Sequence, residues 1–106
     1  MSDTFDSIWG RLLSQLAQGQ KIRNWGIRGY TGNQFTVVGT ERNAILVRSH
    51  RTGNERRIGK TDFENVYRYY PELLAGNIGR HELGQKSQSR NTSYILSLLR
   101  WDNANG

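Results

Sequence analysis

Residues 44–70 read AILVRSHRTGNERRIGKTDFENVYRYY, and this stretch decides the fold. Its first part holds two short runs rich in aliphatic or β-branched residues, which predict strands near 43–49 and 55–59. The Gly53-Asn54 pair between them is a turn signal typical of a tight antiparallel hairpin. Alternation in the first run is imperfect, which indicates a central strand covered on both faces. The stretch therefore predicts a hairpin inside a larger sheet.

Helical spacing replaces the strand pattern over residues 60–74. Thr61 and Glu64 have the spacing of a capping box, in which each side chain accepts a hydrogen bond from the other residue's free backbone N–H. Pro71 disfavours the α region for Tyr70, so we expect the helix to kink or end there, with a separate short turn after it. The predicted apolar face consists of Phe63, Val66, Tyr67 and Tyr70.

Two more strands are predicted upstream of the hairpin, near 21–28 and 34–39, because β-branched and aromatic residues again occur in short bursts. Turns are predicted at 29–33, where the sequence is GYTGN, and at 41–43. With the hairpin, these strands predict a three- to four-stranded antiparallel sheet.

An amphipathic helix is predicted at the N-terminus, from Thr4 to Gln18. Asp3 or Thr4 can cap it, and Gly19 can stop it. The stripe that would cover one face of the sheet consists of Phe5, Ile8, Trp9, Leu12, Leu13 and Leu16.

Two short helices are predicted at the C-terminal end, over 79–85 and 91–101, joined by the polar stretch KSQSR. Asn91 is a candidate cap for the second helix, and we expect residues 102–106 to fray. Two helices around a polar turn form a helix-turn-helix-like arrangement. At 106 residues the whole chain predicts one α+β domain.

The chain is strongly basic, with a formal net charge of +6 and a pI of about 10.2. Most of the basic residues are arginine, whose planar guanidinium suits phosphate oxygens, so a polyanion is the expected partner. A net charge of this size also occurs in small domains for solubility alone. The sequence has no cysteine, and it shows neither a signal peptide nor a membrane span, which favours a cytoplasmic protein without a membrane partner.

Two clusters could contact nucleic acid. The predicted hairpin carries a surplus of basic residues that would act as a wing on the phosphate backbone: Arg42, Arg48, Arg51, Arg56, Arg57 and Lys60, against Glu55 alone. In a helix-turn-helix reading, the base-edge contacts would come from Arg90, Asn91, Thr92 and Ser93, and phosphate contacts from Arg80 and Lys86. Duplex DNA is favoured over RNA as the ligand.

Each cluster also has a purely structural interpretation. Asn91 caps a helix, Thr92 and Ser93 suit a first turn, and Arg90 is solvated. The hairpin charges would discourage pairing between exposed sheet edges, although a surplus of one sign argues against that reading.

The aromatic residues divide into two groups. Trp9, Phe35, Phe63 and Tyr67 fall on apolar periodicities and are expected in the core. Four other aromatic residues are harder to assign: Trp25, Tyr30, Tyr69 and Tyr70. If they share an exposed face with Arg28, they could stack on unpaired bases.

The order of the segments NQFTVV, AILVRS, RRIGKTDFENVYRYY, AGNIGRHEL and SRNTSYILSLL resembles a small accessory module that accompanies HNH-type and related restriction nucleases. The shared pattern is R-x-E-L followed by R-N-x-S-Y-I-x-x-L-L. The likeness covers roughly residues 20–100, and 89–99 is its distinctive part. It implies a DNA-directed role, in a self-standing protein of the kind encoded by mobile elements.

Catalysis is not expected. His50 and His81 are the two histidines, and the spacings typical of zinc sites, P-loops, serine hydrolases and PD-(D/E)xK nucleases are missing. We therefore expect no catalytic residue, metal or cofactor. The rival to nucleic-acid binding is a protein-binding adaptor or homodimer whose intermolecular patch consists of Phe5, Trp9, Leu98, Leu99 and Trp101.

Overall fold

The hairpin predicted from residues 44–70 forms one side of a four-stranded antiparallel sheet, whose strands lie in chain order. A computed structural model describes residues 4–26 and 29–105. The α+β class is confirmed, with one helix before the sheet and three after it. The elements are α1 (Phe5–Gln15), β1 (Lys21–Gly26), β2 (Gly29–Glu41), β3 (Ala44–Ser49), β4 (Glu55–Gly59), α2 (Lys60–Leu74), α3 (Arg80–Ser87) and α4 (Thr92–Asn105).

Strand alternation divides the sheet into an inner face and an outer face. Ile45 pairs with Ile58, and both are fully buried on the inner face. Val47 is also buried there and pairs with Arg56, so the Arg56 side chain belongs to the inner face as well. Neighbouring side chains alternate, and Arg57 therefore belongs to the outer face.

The core lies between the inner face and the helices. Phe5, Trp9 and Phe63 pack as an aromatic cluster, with the Trp9 and Phe63 rings edge to face at 5.5 Å between centroids. The Trp9 indole also donates a hydrogen bond to the Arg42 carbonyl at 3.1 Å, which ties α1 to the turn between β2 and β3. Burial of Trp9, Phe35 and Phe63 confirms the predicted core assignment, and Tyr67 packs half-buried against it.

Helix α2 differs from its prediction at both ends. Gly59 precedes its first turn in an extended conformation and no side chain caps it, so the predicted capping box is wrong. The helix also continues through Pro71 to Leu74. Proline removes only its own N–H donor, whereas burial of Leu73 and a hydrogen bond from the Ala75 N–H to the Pro71 carbonyl hold the last turn.

Strand β2 is longer than predicted. The stretch 29–33 was expected to form a turn, but it is the start of β2, with Gly26 opposite Gly29 and Trp25 opposite Tyr30. Gly29 has φ of +114°, which a side chain would strain. Residues 27 and 28, which the prediction assigned to β1, lie outside the described residues.

Helix α1 is shorter than predicted. It ends at Gln15, with Leu16 extended. Thr4 is its cap, because its hydroxyl accepts from the Ser7 N–H at 3.2 Å. Asp3, the other candidate cap, is outside the described residues.

The C-terminal end is helical instead of frayed, since α4 continues to Asn105. Arg11 of α1 donates two hydrogen bonds to the Asp102 carboxylate, at 2.8 and 2.6 Å. Asp102 is almost entirely buried, with its side chain 5% exposed. A charge that is removed from water requires such a partner, so this ion pair fixes the last turns of α4 against α1.

Within residues 4–26 and 29–105, no helix is long and apolar enough to span a membrane.

The substitution Asp102→Ala should lower the free energy of unfolding by about 2 to 3 kcal/mol, because the two charge-assisted hydrogen bonds between Arg11 and the buried carboxylate are lost. Urea denaturation measures this change. Glu55→Ala is the matched control, since its ion pair with Arg48 is more than half exposed and should contribute no more than about 1 kcal/mol. Equal losses in the two variants would contradict the ordered C-terminal end.

Candidate nucleic-acid interface

The loop between β3 and β4 is shaped by Ser49. Its hydroxyl accepts hydrogen bonds from the N–H groups of Arg51 and Thr52 at 3.2 and 3.3 Å. Its carbonyl accepts from the Gly53 N–H at 2.8 Å, and Gly53 has φ of +75°, a conformation that favours glycine. These bonds fix the backbone of the hairpin tip and position Arg51 beside β4.

A cleft of about 260 Å³ lies between this hairpin tip and the start of α4, and we call it the arginine cleft. One residue of β1 and one of β2, Asn24 and Asn33, complete its walls. Its lining is polar and basic, and no acidic residue is among the described residues that form it. These are Asn24, Asn33, Ser49, Arg51, Thr52, Asn54, Arg56, Arg90, Ser93 and Tyr94.

Three arginines therefore meet at one cleft. Arg51, Arg56 and Arg90 are exposed, and none of them forms an ion pair with another described residue. Three positive charges around a concave polar surface raise the local potential more than the same charges spread over a flat surface. Through these three arginines, the hairpin and the start of the last helix face the same cleft.

The start of α4 adds backbone donors beside the cleft. The first bond within α4 runs from the Ile95 N–H to the Asn91 carbonyl, so the N–H groups of Thr92, Ser93 and Tyr94 precede the helical ladder. Such groups, with the positive end of the helix dipole, favour an anion.

Asn91 does not have either of the roles predicted for it. Its side-chain nitrogen donates to Asp62 at 2.9 Å, and its side-chain oxygen is buried without a hydrogen-bond partner. The residue therefore neither caps α4 nor lines the cleft. Asp62 lies 29 positions away in the chain, which is why local spacing could not reveal this bond.

Three other basic residues of the predicted hairpin surface lie away from the cleft, so the basic residues of the hairpin do not form one surface. Arg48 and Arg57 belong to the outer face, where they pair with Glu55 and Glu41. Lys60 begins α2, and its ammonium lies 3.5 Å from the carboxylate of Asp6 in α1. Strand alternation and nearby carboxylates thus separate these three cations from Arg56.

Arg80 extends the basic surface past α4. Its guanidinium donates to the Ser93 hydroxyl, and it lines a shallow groove next to Thr92. Lys86 does not join this surface, because its ammonium lies over the Tyr69 ring, 5.7 Å from the centroid. Of the two predicted phosphate contacts, only Arg80 is near the arginine cleft.

The C-terminal helices follow the predicted order, but they pack on different neighbours. Helix α3 packs mainly against α2, whereas α4 packs against β1. Five consecutive residues of α4, from Ile95 to Leu99, are buried. A recognition helix needs an exposed face to enter a groove, so the buried middle of α4 cannot serve as one.

The predicted stacking platform does not form among the described residues. Trp25, Tyr69 and Tyr70 pack against the core, and burial raises the pKa of Tyr70 above its usual value while Arg100 opposes that shift. Tyr30 is 45% exposed, but its ring is covered by the Arg23 guanidinium at 4.3 Å. Arg28 is outside the described residues.

The side chains predicted to form a homodimer or adaptor patch pack inside this chain. Phe5, Trp9, Leu98 and Leu99 are buried in the core, and Trp101 packs half-buried against it. These side chains are therefore not exposed to a second subunit.

Sequence reasoning missed six residues of the cleft: Asn24, Asn33, Ser49, Thr52, Asn54 and Tyr94. A signal for two of them was present. Asn24 lies two positions after Ile22, and Asn33 two positions before Phe35, so strict alternation would place both on the inner face. The pairing of β1 with β2 is irregular at this point, because its register shifts there. Polar residues at inner-face positions mark the place where the helices stop covering the sheet.

Comparisons with known proteins assign no family. No protein-family model, curated protein or solved structure matches the chain. The resemblance to modules of restriction nucleases therefore stays a prediction. Among the described residues, no group of three or more histidine, aspartate or glutamate side chains could hold a metal ion.

Replacing Asn91→Ala should lower the free energy of unfolding by about 1 kcal/mol, because Asp62 loses its hydrogen-bond donor. It should leave any preference for nucleic-acid sequence unchanged. Urea denaturation and binding to a panel of duplexes measure the two effects, with Asn77→Ala, an exposed loop residue, as the control. An altered sequence preference at unchanged stability would restore the role in base recognition.

Proposed function

We propose that this chain is a non-catalytic nucleic-acid-binding protein whose arginine cleft holds phosphate groups, with DNA as the expected ligand. The observation that carries the proposal is the meeting of Arg51, Arg56 and Arg90 at one cleft without a carboxylate among its lining residues. By contrast, Arg48 and Arg57 of the outer face each have a carboxylate partner.

The donors around the cleft are the kinds that bind phosphate in protein complexes with nucleic acids. Guanidinium groups offer paired N–H donors, and helix N-termini and hydroxyls supply further ones. Arg80 and the groove beside Thr92 would extend the footprint along a second stretch of backbone. These contacts position a strand without reading its sequence.

Two features of the sequence also favour a DNA-directed role. The net charge of +6 would attract any polyanion over a distance of about 10 Å at ordinary salt. The resemblance of residues 89–99 to modules that accompany restriction nucleases implies DNA in particular, and we propose a cytoplasmic protein of a mobile element. Both the source and the location stay predictions.

Adjacent arginines provide a matched test, since Arg56 lines the cleft and Arg57 belongs to the opposite face. Arg56→Ala should weaken binding to duplex DNA about tenfold at low salt, and should reduce the slope of log K against log salt by about 0.9. Arg57→Ala should change affinity less than about twofold, because its charge is already paired with Glu41.

Fluorescence anisotropy of labelled DNA at two salt concentrations measures both variants. Equal losses for Arg56→Ala and Arg57→Ala would mean that general charge, and not the cleft, attracts DNA. Failure of the unmodified protein to bind DNA or RNA at low salt would overturn the proposed function.

A further inference from the structure

The arginine cleft concentrates charge at one concave site, and the outer face does not. On the outer face, Arg48 and Arg57 are paired with Glu55 and Glu41. The cleft is bounded on three sides, by β1 and β2, by the hairpin tip and by the start of α4. A backbone phosphate enters such a site with the strand continuing on both sides of it, whereas a phosphate at the end of a strand is joined to the strand on one side only.

The charge of the cleft suits a phosphate monoester better than a backbone diester. A diester carries one negative charge, whereas a monoester carries about −1.5 to −2 near neutral pH and presents three terminal oxygens. Arg51, Arg56 and Arg90 supply three guanidinium groups, and the uncapped start of α4 adds the positive end of its dipole. Charge and donor number both match the more highly charged group.

The rest of the cleft supplies neutral polar groups that a bare anion would not need. Asn33, Asn54 and Ser49 line it with amide and hydroxyl groups. Asn24 also lines it, and the side-chain oxygen of Asn24 is buried without a hydrogen-bond partner. Amides and hydroxyls are the groups that bind sugar hydroxyls and the edges of unpaired bases.

We infer that the arginine cleft binds the phosphorylated end of a nucleic-acid strand, with the terminal phosphate monoester among the three arginines and its sugar and base against the asparagines. This inference rests on the proposed function and adds the chemical group that the cleft selects. Internal backbone phosphates would contact the outer part of the surface near Arg80.

Short labelled strands that differ only at the end test the inference. One set carries a 5′-phosphate, a second carries a 3′-phosphate, and a third is treated with phosphatase to leave hydroxyl ends; DNA, RNA and duplex forms are compared. Anisotropy should show binding at least about tenfold tighter for one phosphorylated end than for the hydroxyl end, because charge-assisted hydrogen bonds are lost with the phosphate.

Lowering the pH from about 7 to about 5 should shrink this preference, since the monoester gains a proton with a pKa of roughly 6. Inorganic phosphate and a mononucleotide serve as competitors, and the mononucleotide should compete better because it also fills the asparagine side of the cleft.

The protein variants separate the two proposals. Arg56→Ala and Arg90→Ala should each abolish the preference for a phosphorylated end, and Arg57→Ala should keep it; circular dichroism checks that each variant is folded. Equal binding of phosphorylated and hydroxyl ends, with affinity still reduced by Arg56→Ala, would overturn the inference and leave the proposed function standing. Absence of binding to every strand would overturn both.

Discussion

The helices cover only the inner face of the sheet, and the rest of the structure depends on this constraint. All of the core lies between the helices and the inner face, where Ile45, Val47 and Ile58 are fully buried. The same face continues to Arg56 and Ser49, but there the helical cover ends and a cleft remains. Because side chains in a strand alternate between faces, this boundary decides which arginines meet α4 and which point to the opposite side.

The boundary of the helical cover also decides which basic side chains have a carboxylate nearby. On the outer face and at the helix ends, cations have carboxylates within reach: Arg48 has Glu55, Arg57 has Glu41, and Lys60 has Asp6. Such exposed pairs contribute little to stability, but they reduce the local positive potential. In the arginine cleft no described carboxylate does so, and the backbone donors of α4 add to the potential. Positive charge is thereby concentrated at a concave site, the arginine cleft.

Local patterns predicted much of this fold, and long-range contacts account for the errors. The spacing in α1, the Gly53 turn and strand β4 follow from residues close in sequence, and these predictions are confirmed. Fraying after Trp101 was wrong because Arg11, 91 positions away, holds Asp102. Of the two outcomes expected at Tyr70, a kink or an end, the end is wrong: α2 continues to Leu74, and Leu73 in its last turn is buried.

The site was predicted less well than the fold. Choosing arginines by density in the sequence placed Arg56 and Arg57 together, although their side chains lie on opposite faces of the sheet. It also assigned Asn91 to the ligand, although Asn91 is hydrogen-bonded to Asp62.

Mapping amide chemical-shift changes by NMR, while a phosphorylated DNA strand is added, tests the central claim most directly. The account predicts that the largest changes lie at residues 49–56 and 90–94. Changes concentrated on the outer face, around Arg48 and Arg57, would contradict it.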